Sequence, residues 1–200
     1  MAGTVILLQT SSTDGDSAPM ESQPSIECIA GLGIKGDRYA IEHAQPRPVS
    51  IEGAEFDLGG QYTPEANTHW HLPEVGRQLT LLDSAALQRL AESSGLVLPP
   101  DQTRRNVLVS GLDLNALVGH ALTVGSVELF VHRLTVPCQN LERRAGLPGL
   151  EEALWNDGGL SCEITRSGVI KLGDKIEPVP DSLDRARVSG LKTDGFMLAQ

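Results

Sequence analysis

Three features of this chain are able to do chemistry beyond packing: a cysteine behind a proline, a glycine loop flanked by cations, and a run that opens on two arginines. Cys138 follows Pro137, which biases Val136 toward extended backbone and carries a strand up to the sulfur. A helical pattern starts directly after it. The thiol is therefore expected near a helix N-terminus, where unpaired N–H groups and the macrodipole favour a thiolate. Arg143 and Arg144 lie a turn or two along, and His132 and Arg133 lie on the strand before. A thiolate in that setting attacks sulfur or ligates a soft metal. The competing reading is a buried small hydrophobe, the usual fate of a free cysteine. Residue types alone leave both open. A cysteine hydrolase is a third reading, and it requires His132 to meet the thiol.

The loop Gly33-Ile34-Lys35-Gly36-Asp37-Arg38 is the second candidate. Its glycines let backbone N–H groups approach an anion, and Lys35 and Arg38 add charge. Arg38 is suited to grip a phosphate through two parallel hydrogen bonds. The plainer alternative is a tight turn in which Asp37 pairs with Arg38. Arg104-Arg105-Asn106 is the third candidate, for a reason of charge. Residues 51 to 100 carry seven acids and two basic residues, whereas residues 101 to 150 carry four acids and five basic ones. Cations thus gather in the segment that holds Cys138, which suits an anionic ligand. A solvated strand end is the alternative. His69-Trp70-His71 offers two ligands without a third nearby, so zinc is not expected there. Asp157-Gly158-Gly159 reads as a turn rather than a phosphate cradle. Cys28 and Cys162 each fall inside a strand pattern and are expected in the core.

The elements that must position these residues are short. Strands are expected over Thr4–Gln9, Ile26–Leu32, Arg77–Leu82, Arg104–Val109, Leu122–Val124, Val127–Leu134 and Lys175–Val179. Leu160–Ile164 and Val169–Leu172 are expected to form a hairpin around Ser167-Gly168. Asp83 or Ser84 caps a helix running from about Ala85 to Ser93, which Gly95 ends. One helical turn is expected over Asp113–Gly119, a helix over Leu141–Ala145 with Gly146 as its stop, and another over Glu151–Trp155. Many short strands with few short helices predict a mainly β (α+β) chain with a barrel or sandwich core. Residues 1–25 supply a first strand and loop to a domain over 26–178. Residues 45–76 are an irregular insertion or lid, and 179–200 a C-terminal tail.

Bulk composition narrows the function classes. The net charge of −10 argues against a general nucleic-acid binder, which needs a basic face. Hydrophobic residues make up 40% of the chain, enough for a core without disulfides. The three cysteines form no CxxC, which removes a zinc ribbon or a thioredoxin-type pair. No apolar run reaches the ~18 residues of a membrane span. A soluble cytoplasmic protein with reduced thiols is expected.

Taken in order, these segments resemble the MOSC domain, named for the C-terminal domain of molybdenum cofactor sulfurase. The resemblance runs through Gly33-x-x-Gly36-Asp37-Arg38, Gln78-Leu79-Thr80-Leu81-Leu82 and Arg105-Asn106-Val107. It continues with Gly111-Leu112-Asp113-Leu114-Asn115, Leu122-Thr123-Val124-Gly125 and Pro137-Cys138, and closes on Gly168-Val169-Ile170-Lys171-Leu172-Gly173-Asp174. It covers roughly residues 26 to 178. It implies a β-barrel fold and a protein that binds the molybdenum cofactor (molybdopterin), carries activated sulfur on the cysteine, or reduces N-hydroxylated compounds. Cys138 matches the cysteine proposed to carry sulfur or contact molybdenum. Lys35, Gly36, Asp37, Arg38, Arg104, Arg105, Asn106 and His132 match the cofactor's surroundings. Asn156-Asp157-Gly158-Gly159 departs from the family's usual Arg-Gly-Gly, and Tyr39 stands where small relatives commonly have histidine. No pyridoxal-phosphate domain is present, so the resemblance implies a sulfur-donating desulfurase or a redox partner protein. A non-catalytic barrel that binds an anionic ligand or a protein partner is the alternative.

Overall fold

The computed structural model describes residues 2–11, 20–37, 40, 76–135 and 137–184. Eleven strands make up most of the described fold: β1 Gly3–Thr10, β2 Glu21–Ser22, β3 Ser25–Ile29, β4 Gly33–Ile34, β5 Leu79–Asp83, β6 Val107–Ser110, β7 Ala121–Val124, β8 Val127–Leu134, β9 Leu160–Arg166, β10 Gly168–Lys171 and β11 Lys175–Pro178. Short α-helices among the described residues include α1 Ser84–Ser94, α2 Gln139–Ala145 and α3 Leu150–Ala153. Among the described residues no helix is long and apolar enough to cross a membrane.

Seven strands close into a barrel in the order β11-β7-β8-β9-β5-β6-β1, and β1 returns to β11 through Gly3↔Ile176 and Thr4↔Lys175. Alternation along each strand directs one row inward. Leu79 and Leu81 on β5, Val127, Leu129 and Val131 on β8, and Leu160, Cys162 and Ile164 on β9 share one continuous core. The β5–β6 pair is parallel, so the chain must cross over between them, and α1 is part of that crossover. Asp83 accepts from the Ala85 N–H at the start of α1, and Gly95 ends the helix in the left-handed conformation. A second apolar cluster outside the barrel joins the three helices through Leu90, Leu141, Leu150 and Leu154.

Two expectations need correction. Arg104 and Arg105 precede β6 rather than open it, because Arg104 takes left-handed backbone at φ 60° and breaks the extended run. The β9–β10 hairpin does not form. A single residue, Ser167, separates the two strands, which is too short for a two-residue hairpin turn. Gly168 instead packs on Ser126, and β10 pairs with β3 in a separate three-stranded sheet, β10-β3-β4.

Candidate functional site

Cys138 is presented where β8 leaves the barrel. The strand bulges on its way out: Val131 pairs with Cys162 and Arg133 with Ser161, so His132 is the extra residue. Thr135 still follows the barrel, its N–H donating to the Gly159 carbonyl at 2.7 Å and its hydroxyl meeting Ser161 Oγ at 2.8 Å. Pro137 is buried and Cys138 is exposed. Cys138 has extended backbone at the N-cap position of α2, and its carbonyl accepts from the Leu141 and Glu142 N–H groups at 2.8 and 3.3 Å. Its side chain makes no capping bond, so the sulfur faces outward. That exposure removes the buried-hydrophobe reading. Burial does account for the other two thiols: it pushes Cys28 up to about 12 and raises Cys162 as well.

Arg105 lies across from this exit. It is only 8% exposed. Its Nε donates to the Gly158 carbonyl at 2.7 Å, and Nη1 donates to the Thr103 carbonyl at 3.3 Å. Gly158 is the hinge between the two groups. A Cβ there would lie 2.0 Å from the Thr135 carbonyl oxygen and 3.1 Å from Pro137 Cδ. One glycine thus touches the proline before the sulfur and holds the buried guanidinium. No element carrying a side chain at 158 is able to make that approach.

Asn106 and Asp37 lie on the same side of the barrel but engage the protein itself. Asn106 Oδ1 accepts from the Thr80 N–H at 3.1 Å and from Thr80 Oγ1 at 2.8 Å. Its amide donates to the Gln9 carbonyl and to Asp37 Oδ2 at 3.4 and 3.3 Å. Asp37 Oδ2 also accepts from the Ser11 N–H at 3.0 Å. The side chain of Asn106 therefore ties β5 to β1 and to the glycine loop. Gly36 has φ 79° with open space around its Cβ direction, as a turn carrying the loop toward Asp37 requires. Lys35 departs from this group: its ammonium pairs with Glu27 at 2.8 Å, both side chains exposed. Arg38, Tyr39, His69, Trp70 and His71 lie outside the described residues.

His132 is buried, its Nε2 2.8 Å from Glu163 Oε2 and its ring edge-on to Phe130 at 4.9 Å between centroids. Nδ1 is buried without a hydrogen-bond partner. No hydrogen bond between His132 and Cys138 is present, which leaves the cysteine-hydrolase reading without its base. Among the described residues no group of three or more His, Cys, Asp or Glu side chains is gathered to hold a metal ion.

Sequence reasoning passed over Glu163, the Thr135–Ser161 pair and the Gly158 carbonyl. Glu163 and Ser161 carry no motif, and their roles arise from β8–β9 register. The Gly158-Gly159 doublet was the available signal. It reads as a turn from sequence and becomes a packing contact only once β5 and β8 flank it: a Cβ on Gly159 would meet the Leu81 carbonyl at 2.1 Å.

Comparison with known proteins bears on the fold and the family. A solved structure of the YuaD protein from Bacillus subtilis superposes with a TM-score of 0.64 at 18% identity, covering 88% of this chain and 94% of that one. YiiM from Escherichia coli superposes with a TM-score of 0.55 at 14% identity, covering 88% of this chain and 69% of that one. At such identities the likeness is one of fold. A search of curated proteins gave no match. The MOSC domain profile matches residues 67–177, more than half of the chain and the segment that contains Arg105, His132 and Cys138. The chain belongs to the MOSC domain family.

Proposed function

We propose that this protein binds the molybdenum cofactor beside Cys138, with the sulfur as the reactive or metal-ligating atom. One observation carries the reading: an exposed thiol and a buried guanidinium are joined through a single glycine, Gly158. The fit to the cofactor is chemical. Cys138 is a soft donor reachable from solvent, as molybdenum requires. Arg104 and Arg105 supply cationic charge for the pterin phosphate. Asp37 and Asn106 brace the lining through their bonds to the barrel. When bound, the cofactor supplies a redox-active metal that exchanges electrons and oxygen with a substrate.

The chain's own residues support two versions. In the reductase version, Cys138 ligates the metal and an N-hydroxylated substrate is reduced with electrons from a partner protein. In the carrier version, the Cys138 thiolate attacks the outer sulfur of a donor's persulfide. A new S–S bond forms on Cys138, the donor's S–S bond breaks, and the donor leaves as a thiolate, with no net oxidant required. A pyridoxal-phosphate desulfurase is the class of protein able to present such a persulfide. The alternative of a binding module with an inert cysteine is disfavoured by the exposure of the sulfur.

The test is expression in a host that makes the cofactor, followed by assay of molybdenum and pterin in wild type and Cys138→Ala. Near-stoichiometric metal in wild type and its loss in the variant are expected. Equal metal in both removes Cys138 as a ligand. Metal in neither, with a cyanide-labile sulfur on Cys138, selects the carrier version.

A further inference from the structure

We propose that Arg89 and Asp157, with Asn115, are positioning residues for Cys138: they fix the 156–159 turn from outside, and the turn fixes Arg105 and the Pro137–Cys138 step from inside. The inference rests on Cys138 being the reactive sulfur argued above. Arg89 on α1 reaches across to Asp157, Nε at 3.0 Å from one carboxylate oxygen and Nη2 at 2.7 Å from the other. This is the two-pronged geometry that fixes direction as well as distance. Asn115, in a short 3-10 turn, donates from Nδ2 to the Asn156 carbonyl at 2.8 Å. The Asp157 N–H donates to the Leu154 carbonyl at 2.9 Å. Two separate elements thus hold the two residues ahead of Gly158.

The inner side of the same turn has no slack. Gly158 is pressed against the Thr135 carbonyl and Pro137, its own carbonyl takes the Arg105 Nε–H, and the Gly159 carbonyl takes the Thr135 N–H. A shift at Asp157 is therefore transmitted to the guanidinium and to the residue before the sulfur. An exposed ion pair contributes little to stability. What this one supplies is a fixed path for the backbone between α1 and the thiol.

The field of the pair itself has to be separated from its geometry. Removing Arg89 takes away a positive charge and removing Asp157 a negative one, so direct electrostatics moves any charge-sensitive property of Cys138 in opposite directions. Loss of the clamp moves it in one direction for both. Asn115→Ala changes no charge and alters an exposed residue, so it supplies a variant that retains the fold.

The experiment alkylates the full-length protein with iodoacetate and, separately, with iodoacetamide, and locates the label by mass. The ratio of the two rates reports the charge around the sulfur, and a displaced Arg105 is expected to make it less positive. Arg89→Ala, Asp157→Ala and Asn115→Ala are each expected to lower that ratio about two- to fivefold, with cooperative melting retained. Opposite shifts for Arg89→Ala and Asp157→Ala, or a ratio unchanged in Asn115→Ala, overturn the clamp. A wild-type Cys138 that resists both reagents overturns the reactive-sulfur reading itself and takes the clamp with it. A reactive wild type with unaltered variants overturns the clamp alone.

Discussion

At the residue scale the site depends on how each polar group is already engaged. Arg105 makes directional bonds to two backbone carbonyls, Gly158 and Thr103, from an almost fully buried position. A lysine keeps the charge but not the planar fork, so it cannot satisfy both acceptors. Arg105→Lys is expected to lose about 1–3 kcal/mol in denaturant unfolding, the usual cost of leaving a buried partner unsatisfied. It is also expected to lose bound pterin under conditions where wild type retains it. Retained stability with lost pterin would show that the guanidinium serves the ligand alone. Cys138→Ala sits at the other extreme: an exposed side chain without a capping bond is expected to melt with wild type. Residue types identified Cys138 and Arg105 as candidates from the sequence. They did not reveal that Lys35 pairs with Glu27, since the seven intervening positions gave no hint that β3 and β4 lie side by side.

At the element scale the turn at 156–159 matters more than the helix that follows Cys138. Gly158 and Gly146 look alike in sequence, each a glycine at an element boundary. Their surroundings differ. A Cβ at Gly158 meets backbone oxygen at 2.0 Å, whereas one at Gly146, with φ 62°, meets nothing within 4 Å. Gly158→Ala must push β8 and the turn apart and is expected to cost about 3 kcal/mol or more. It should also disturb Cys138 reactivity. Gly146→Ala is expected to cost about 1 kcal/mol, the left-handed penalty, and to leave the thiol unchanged. Denaturant unfolding of the two variants side by side checks the contrast, and equal costs would remove Gly158 as the hinge. Local signals such as Asp83, Gly95 and Gly146 placed the helices within a few residues, because caps act on their own neighbours. The β9–β10 hairpin failed for the complementary reason. Strand propensity and a Ser-Gly pair do not say which partner a strand will choose, and β3 lay far away in sequence.

At the scale of the whole molecule, barrel closure was the least legible feature, since it joins Gly3 near one end of the described chain to Ile176 near the other. Its consequence is one shared core in which Cys28, from the three-stranded sheet, and Cys162, from the barrel wall, are both sealed. This makes stability sensitive to alkali in a calculable direction. In the unfolded chain both thiols lose protons near their ordinary value of 9.0, whereas in the folded chain Cys28 holds its proton up to about 12 and Cys162 is raised too. Below the unfolded value both states are protonated, and neither thiol gives any pH dependence. Above it the unfolded state binds fewer protons than the folded one, so stability falls as pH rises, by about 1.4 kcal/mol per pH unit for each thiol. For Cys28 the decline runs from about 9 to about 12. Replacing both cysteines by alanine is expected to lower stability at neutral pH through lost packing and to flatten this alkaline slope relative to wild type. Denaturant unfolding at a series of pH values measures both effects. Parallel slopes in wild type and the double variant would mean that the thiols titrate in the folded state, and that the barrel admits hydroxide to a core in which both are buried.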